Sequence, residues 1–137
     1  MGELSEKARE YLTLPKKINV LSTSNKASEN NIAMFGSFVL SDDSTMMVLL
    51  GDNRSYANLK ENPLAALLVM APETSGMQTE GCRVYLKAMS MEDSGETFDR
   101  VKEGVRARVG DAAESLKHLV IFQVLGSRPI VDMGQGI

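Results

Sequence analysis

The run Thr45–Leu50, TMMVLL, is apolar at five successive positions and is followed at once by Gly51. A strand without polar alternation must be buried on both faces, which a lone hairpin cannot do and a layered or barrel-like sheet can. The segments around it have the same character. Ile18–Ser24, Ile32–Ser41, Leu64–Met70, Cys82–Met91 and His118–Leu125 read as strands, and Pro129–Met133 as a short edge strand where proline is tolerated. The turn-rich stretch Asn25–Asn31 makes a hairpin of the first two strands, and Asp42-Asp43-Ser44 and Asp93-Ser94-Gly95 mark further turns.

Helices are few. Leu4, Ala8, Tyr11 and Leu12 share a helical face that Pro15 ends. A short helix over Ser55–Glu61 is stopped by Asn62-Pro63, and Phe98, Val101, Val105 and Val109 space an amphipathic helix over Glu96–Val109 despite Gly104. Consecutive strands with so few helices between them argue for a mostly β (α+β) fold. The expectation is an antiparallel β-barrel, closed or nearly closed, with peripheral helices; a doubly wound parallel sheet would need a helix between most strands.

The 137 residues, 43% hydrophobic, form one domain over residues 1–137 with a core of its own. A net charge of −3 and the lack of any basic run argue against a nucleic-acid surface. No apolar stretch reaches the roughly 18 to 20 residues of a membrane span, and the mixed charge of MGELSEKAREYL lacks a signal-peptide core, so the expected location is cytoplasmic. Cys82 is the only cysteine and His118 the only histidine, so no internal disulfide and no zinc cluster can be drawn. A catalytic triad would have to use His118, which reads instead as a strand-end residue. No P-loop or dinucleotide-fold glycine motif exists, and no catalytic residue is assigned. Redox or transfer chemistry would need a bound cofactor to bring the reactive group.

Chemistry concentrates where the apolar run ends, in MMVLLGDNRSYANLKENP. Gly51 allows a sharp turn or a close approach, and Ser55 is a candidate helix cap. The first helical turn would present free N–H groups and a positive dipole end, and Arg54 adds a permanently charged planar fork. Together these suit a phosphate ester.

The stretch DNRSYANLKENPLAALLV resembles the FMN-binding split barrels of the pyridoxamine 5′-phosphate oxidase-like superfamily. There a strand delivers a basic, hydroxyl-bearing turn to the flavin phosphate, a short helix follows, and an Asn-Pro-x-Ala-Ala-Leu segment opens the next strand. Here these parts read Arg54, Ser55, Leu59, Asn62, Pro63, Ala65, Ala66 and Leu67. IAMFGSFVL and CRVYLKAMSM resemble the flanking family strands, so the likeness covers Ile18 to Met91 well and the C-terminal third in outline.

The resemblance implies an FMN cofactor at the interface of a homodimer and a small-molecule electron donor or acceptor. It implies Arg54 and Ser55 on the phosphate, Leu49, Leu50 and Gly51 beside the flavin, and Phe35, Gly36 and Ser37 facing the ring. Arg83 and Val84 would reach a flavin held mainly by the other subunit. Two departures stand out. Ser55 occupies the place where relatives often carry a lysine, and HLVIFQVLGSRPIVDMGQGI lacks the arginine- and histidine-bearing segment of true pyridoxamine-phosphate oxidases, so that specific activity is not expected. A flavin-dependent oxidoreductase is the leading reading. A non-catalytic flavin carrier or electron-transfer protein, and a split barrel holding haem or a deazaflavin, stay open.

Overall fold

The computed structural model describes residues 4–131, 133 and 134. In chain order the elements are α1 (Glu6–Leu12), β1 (Ile18–Ser24), β2 (Asn30–Met34), β3 (Val39–Asp42), β4 (Thr45–Leu50), α2 (Arg54–Glu61), β5 (Leu64–Met70), β6 (Gly81–Glu92), α3 (Glu96–Val109) and β7 (His118–Pro129). Short 3-10 turns cover Gly76–Gln78 and Gly110–Ser115. One sheet holds all seven strands in the order β2-β1-β5-β6-β7-β4-β3, and every neighbouring pair is antiparallel. This is the antiparallel split-barrel architecture with peripheral helices that the sequence predicts. Among the described residues no helix is long and apolar enough to cross a membrane.

Three expectations need correction. Ile32–Ser41 is not one strand but two, β2 and β3, which lie on opposite edges of the sheet. Between them the chain changes partner: the Phe35 N–H donates to the Asn19 carbonyl of β1 at 3.0 Å, and two residues later the Ser37 hydroxyl donates to the Leu49 carbonyl of β4 at 3.1 Å. The sheet is therefore curled with two edges rather than closed. Pro129–Met133 is not a separate edge strand, because Pro129 ends the long β7 and pairs with Cys82 of the interior strand β6. Asp132, within that expected strand, lies outside the described residues. Consecutive Tyr85 and Leu86 of β6 face Gly126 and Val124, so Leu125 is the extra residue of a bulge through which β7 continues.

Side-chain alternation divides the burial. The concave face carries Leu21, Leu67, Val69, Val84, Leu86, Val120, Phe122 and Val124 with Met46, Val48 and Leu50, all at most 1% exposed. Leu4, Ala8 and Leu12 of α1 and Leu59 of α2 join this core. On the convex side, α3 covers β4 and β7 through Phe98, Val101 and Val105 against Met47, Leu49 and Leu119. Among the described residues the convex face of β2, β1, β5 and β6 has no such cover: Met34 is 69% and Leu64 51% exposed, on the same face as Val20, Leu68 and Tyr85.

Phe122 is fully buried and stacks on Phe38 with ring centroids 6.2 Å apart. Phe122→Ala should cost ~3–5 kcal/mol. The check is chemical denaturation, where the midpoint should fall while the slope stays constant.

Candidate functional site

The turn between β4 and α2 is set by close packing. A Cβ on Gly51 would stand 2.7 Å from the Ser115 carbonyl oxygen, so only glycine passes beneath that backbone, and the Lys117 N–H fixes the approach by donating to the Leu50 carbonyl at 2.9 Å. The helix cap is Asn53 and not Ser55. The Asn53 side-chain oxygen accepts from the Tyr56 N–H at 2.9 Å, and its carbonyl accepts from the Ala57 N–H at 3.1 Å. Ser55 is the second helical residue, 1% exposed, and its hydroxyl accepts from the Asn31 amide at 3.2 Å, tying α2 to β2. Serine is a capping residue type, which is why the sequence points to Ser55, but asparagine is one too and the structure gives the role to Asn53. With Asn53 as cap, the N–H groups of Arg54 and Ser55 are the ones no protein acceptor takes among the described residues.

Arg54 is exposed, and among the described residues its side chain makes no hydrogen bond or ion pair. It borders a hollow of about 610 Å³ between α2 and the β1–β2 turn, lined also by Asn25, Asn30 and Asn58. Three carboxylates share the rim: Glu29, Asp52 and Glu61. Each is engaged. Glu29 accepts from the Asn25 amide at 2.7 Å, Glu61 from the Lys26 N–H at 3.2 Å, and Asp52 from His118 and Lys117 at 2.6 and 3.4 Å.

The structure gives His118 more than a strand end. Its Nδ1 lies 2.7 Å from Asp93 Oδ1 and its Nε2 2.6 Å from Asp52 Oδ1, while the ring stacks on Tyr56 at 3.7 Å with 2° between planes. The partners are 25 and 66 residues away in sequence, beyond any local motif. Burial alone would lower the histidine pKa. The hydrogen bonds and charges of Asp52 and Asp93 outweigh it, so the pKa is raised, and the His118 hydrogen bond in turn lowers that of Asp52. Burial first, then the two carboxylates, raises the pKa of Tyr56.

The other candidate residues fall into three places. Phe35, half-buried, the exposed Gly36 and the buried Ser37 form the link between the sheet edges, and the Gly36 carbonyl accepts from Arg108 at 3.3 Å. Leu49 and Leu50 are fully buried on opposite faces of β4, so their side chains belong to the two cores. Val84 is likewise in the concave core, while Arg83 points to the convex face opposite Arg128, its Nε donating to the Pro129 carbonyl at 2.9 Å. One chain thus gathers Gly51, Arg54 and Ser55 at one corner. Arg83 sits four residues along β6 from Lys87, the strand position level with Leu64 near the end of α2, which is roughly 13 Å of strand.

No family model matches the chain, and no curated protein matches its sequence. Solved structures do match. An FMN-binding protein from Syntrophomonas wolfei subsp. wolfei is 27% identical with a TM-score of 0.78, over 92% of this chain and 85% of that one. HutZ, described as a haem storage protein of Vibrio cholerae, is 21% identical with a TM-score of 0.68, over 93% of this chain and 94% of that one. A putative pyridoxamine 5′-phosphate oxidase from Lactobacillus delbrueckii is 15% identical with a TM-score of 0.66, over 93% and 95%.

Asn53→Ala should remove about 1 kcal/mol of stability, whereas Asn53→Ser should keep most of it. Thermal unfolding of the two variants beside the parent checks the cap.

Proposed function

We propose that this split barrel, similar in structure to an FMN-binding protein, is a member of the pyridoxamine 5′-phosphate oxidase-like superfamily that binds FMN and acts as a flavin-dependent oxidoreductase on a small molecule. The observation that carries this reading is Arg54: an exposed guanidinium with no protein partner among the described residues, at the open end of α2, beside a hollow. The donor set fits a phosphate. A planar cation, two free N–H groups and the positive end of an eight-residue helix converge there, and the three rim carboxylates are already held by other donors.

In this reading Arg54 and the N–H groups of Arg54 and Ser55 hold the phosphate. Gly51 gives the turn its path, and Leu49 and Leu50 can meet the cofactor only through their backbone. Phe35, Gly36 and Ser37 stand at the ring, and Arg83 and Val84 of β6 serve the flavin of a second copy, Val84 through its backbone. Bound flavin would supply the redox chemistry by accepting and returning electrons at its ring, and the chain would bind it, orient it and shield one face. The dimer is part of the proposal. Ile32, 70% exposed, with Met34, Leu64, Leu68 and Tyr85 makes an apolar convex face that a second copy would bury. Haem fits less well, because His118, the sole histidine, commits both ring nitrogens to carboxylates.

Three measurements test this. Arg54→Ala should weaken FMN roughly ten- to hundredfold, from the loss of a charge-assisted contact, and leave riboflavin nearly unchanged. Equal losses for both would remove Arg54 from the phosphate. Met34→Asp should convert a dimer to monomer in light scattering, and a parent protein that is already monomeric refutes the interface. Bound flavin that no nicotinamide donor reduces would mark a carrier rather than an enzyme.

A further inference from the structure

Asp52 occupies an awkward position. It is two residues from Arg54 and lines the same hollow. A free carboxylate there would either pair with the guanidinium or repel an incoming phosphate. Instead its Oδ1 meets His118 and its Oδ2 meets Lys117.

His118 can donate to both carboxylates at once only in one protonation state. Each ring nitrogen faces a carboxylate oxygen, at 2.6 and 2.7 Å, and an ionised carboxylate has no proton to give. Both nitrogens must therefore donate, which only the imidazolium does. Loss of the proton would leave one nitrogen lone pair against a carboxylate oxygen, and that contact would have to open.

We propose that His118 is a positioning residue for phosphate binding: as an imidazolium clamped between Asp52 and Asp93 it holds the Asp52 carboxylate at the rim and keeps it from pairing with Arg54, and phosphate affinity falls when the ring loses its proton. This rests on the reading of the hollow as a phosphate site. The groups facing the ring are Asp52 from the turn before α2, Asp93 from the turn after β6, and Tyr56 stacked on it from α2. Lys60 lies 4.7 Å from the Tyr56 ring centre, and Lys117 precedes His118 and bonds Asp52. The direction follows from linkage. The folded-state pKa is raised, so the contribution is fully present below the unfolded value and is lost as pH rises through the elevated one. The ligand acts the opposite way, since a phosphate monoester gains its second charge near about pH 6 and should bind a cation better above it. A fall in affinity with rising pH therefore has to come from the protein.

The test uses the full chain without added histidines, so that the one imidazole is read directly by NMR. Its titration midpoint should lie above that of a free histidine, and Asp52→Asn and Asp93→Asn should each lower it. In fluorescence titrations between about pH 6 and about pH 9, FMN affinity of the parent should fall roughly fivefold or more while riboflavin affinity stays level. His118→Gln should bind FMN weakly with no pH dependence in this range. Asp52→Asn should bind it tightly with none, and it keeps the test open if the histidine variant does not fold. An ordinary or lowered His118 midpoint overturns the clamp whatever the flavin does. A raised midpoint with FMN and riboflavin responding alike overturns the coupling and leaves FMN binding standing. FMN that binds at no pH, with a raised midpoint, overturns the phosphate reading and this role with it.

Discussion

The short link from Met34 to Val39 governs the shape of the molecule. Four residues join strands on opposite edges of a seven-stranded sheet, and that length of chain spans no more than roughly 17 Å. A flat sheet with neighbouring strands about 4.8 Å apart would hold its outermost strands well beyond that reach. The sheet must curl until its edges approach, and the bonds from Phe35 to β1 and from Ser37 to β4 record the crossing. Curling makes the concave face a cylinder-like core, and Phe38, the last residue of the link, packs into it on Phe122.

The convex face is divided as a consequence. α3 covers the half built from β4 and β7, and the half built from β2, β1, β5 and β6 keeps its large apolar side chains in solvent. α1 and α2 pack on the remaining sides and share the concave core. Because β2 runs from the hollow to the link, its outward residues Asn30, Ile32 and Met34 form a strip leading from the Arg54 corner towards Phe35 and Gly36. The phosphate end and the ring end of an FMN molecule would find their respective chemistry along that strip.

Much of this was legible in sequence because it is written in local pattern. The bounds of β1, β4, β5 and α3 are those that apolar spacing and turn residues predict, and so is the stop of α2 at Asn62-Pro63. What was not legible depends on distant partners. Ile32–Ser41 reads as one strand because nothing in it says that its two halves bond to different edges. The strand read over His118–Leu125 stops short because nothing local shows that Leu125 is a bulge through which β7 runs on to Pro129. Ser55 reads as the cap by residue type, but its hydroxyl is taken by Asn31 and Asn53 caps the helix instead. Leu49, Leu50 and Val84 match a family pattern of flavin contacts, yet alternation and burial give their side chains to the cores. His118 looked inert because both of its carboxylates come from other turns.

With Ser55 rather than a second basic residue beside Arg54, an anion site at this corner would depend on how its carboxylates are held. With a lysine beside the arginine, excess positive charge would override nearby carboxylates. Here Arg54 alone faces Glu29, Asp52 and Glu61, so the sign of the local potential depends on how firmly those carboxylates are held by their own donors. Glu29 and Glu61 are held by neutral amide donors, whose strength does not change with pH near neutrality. Asp52 is held by two cations, and one of them can lose its charge. An anion site here would be only as positive as the least permanent of these restraints allows, and that restraint is an imidazole that strand β7 brings to the start of α2.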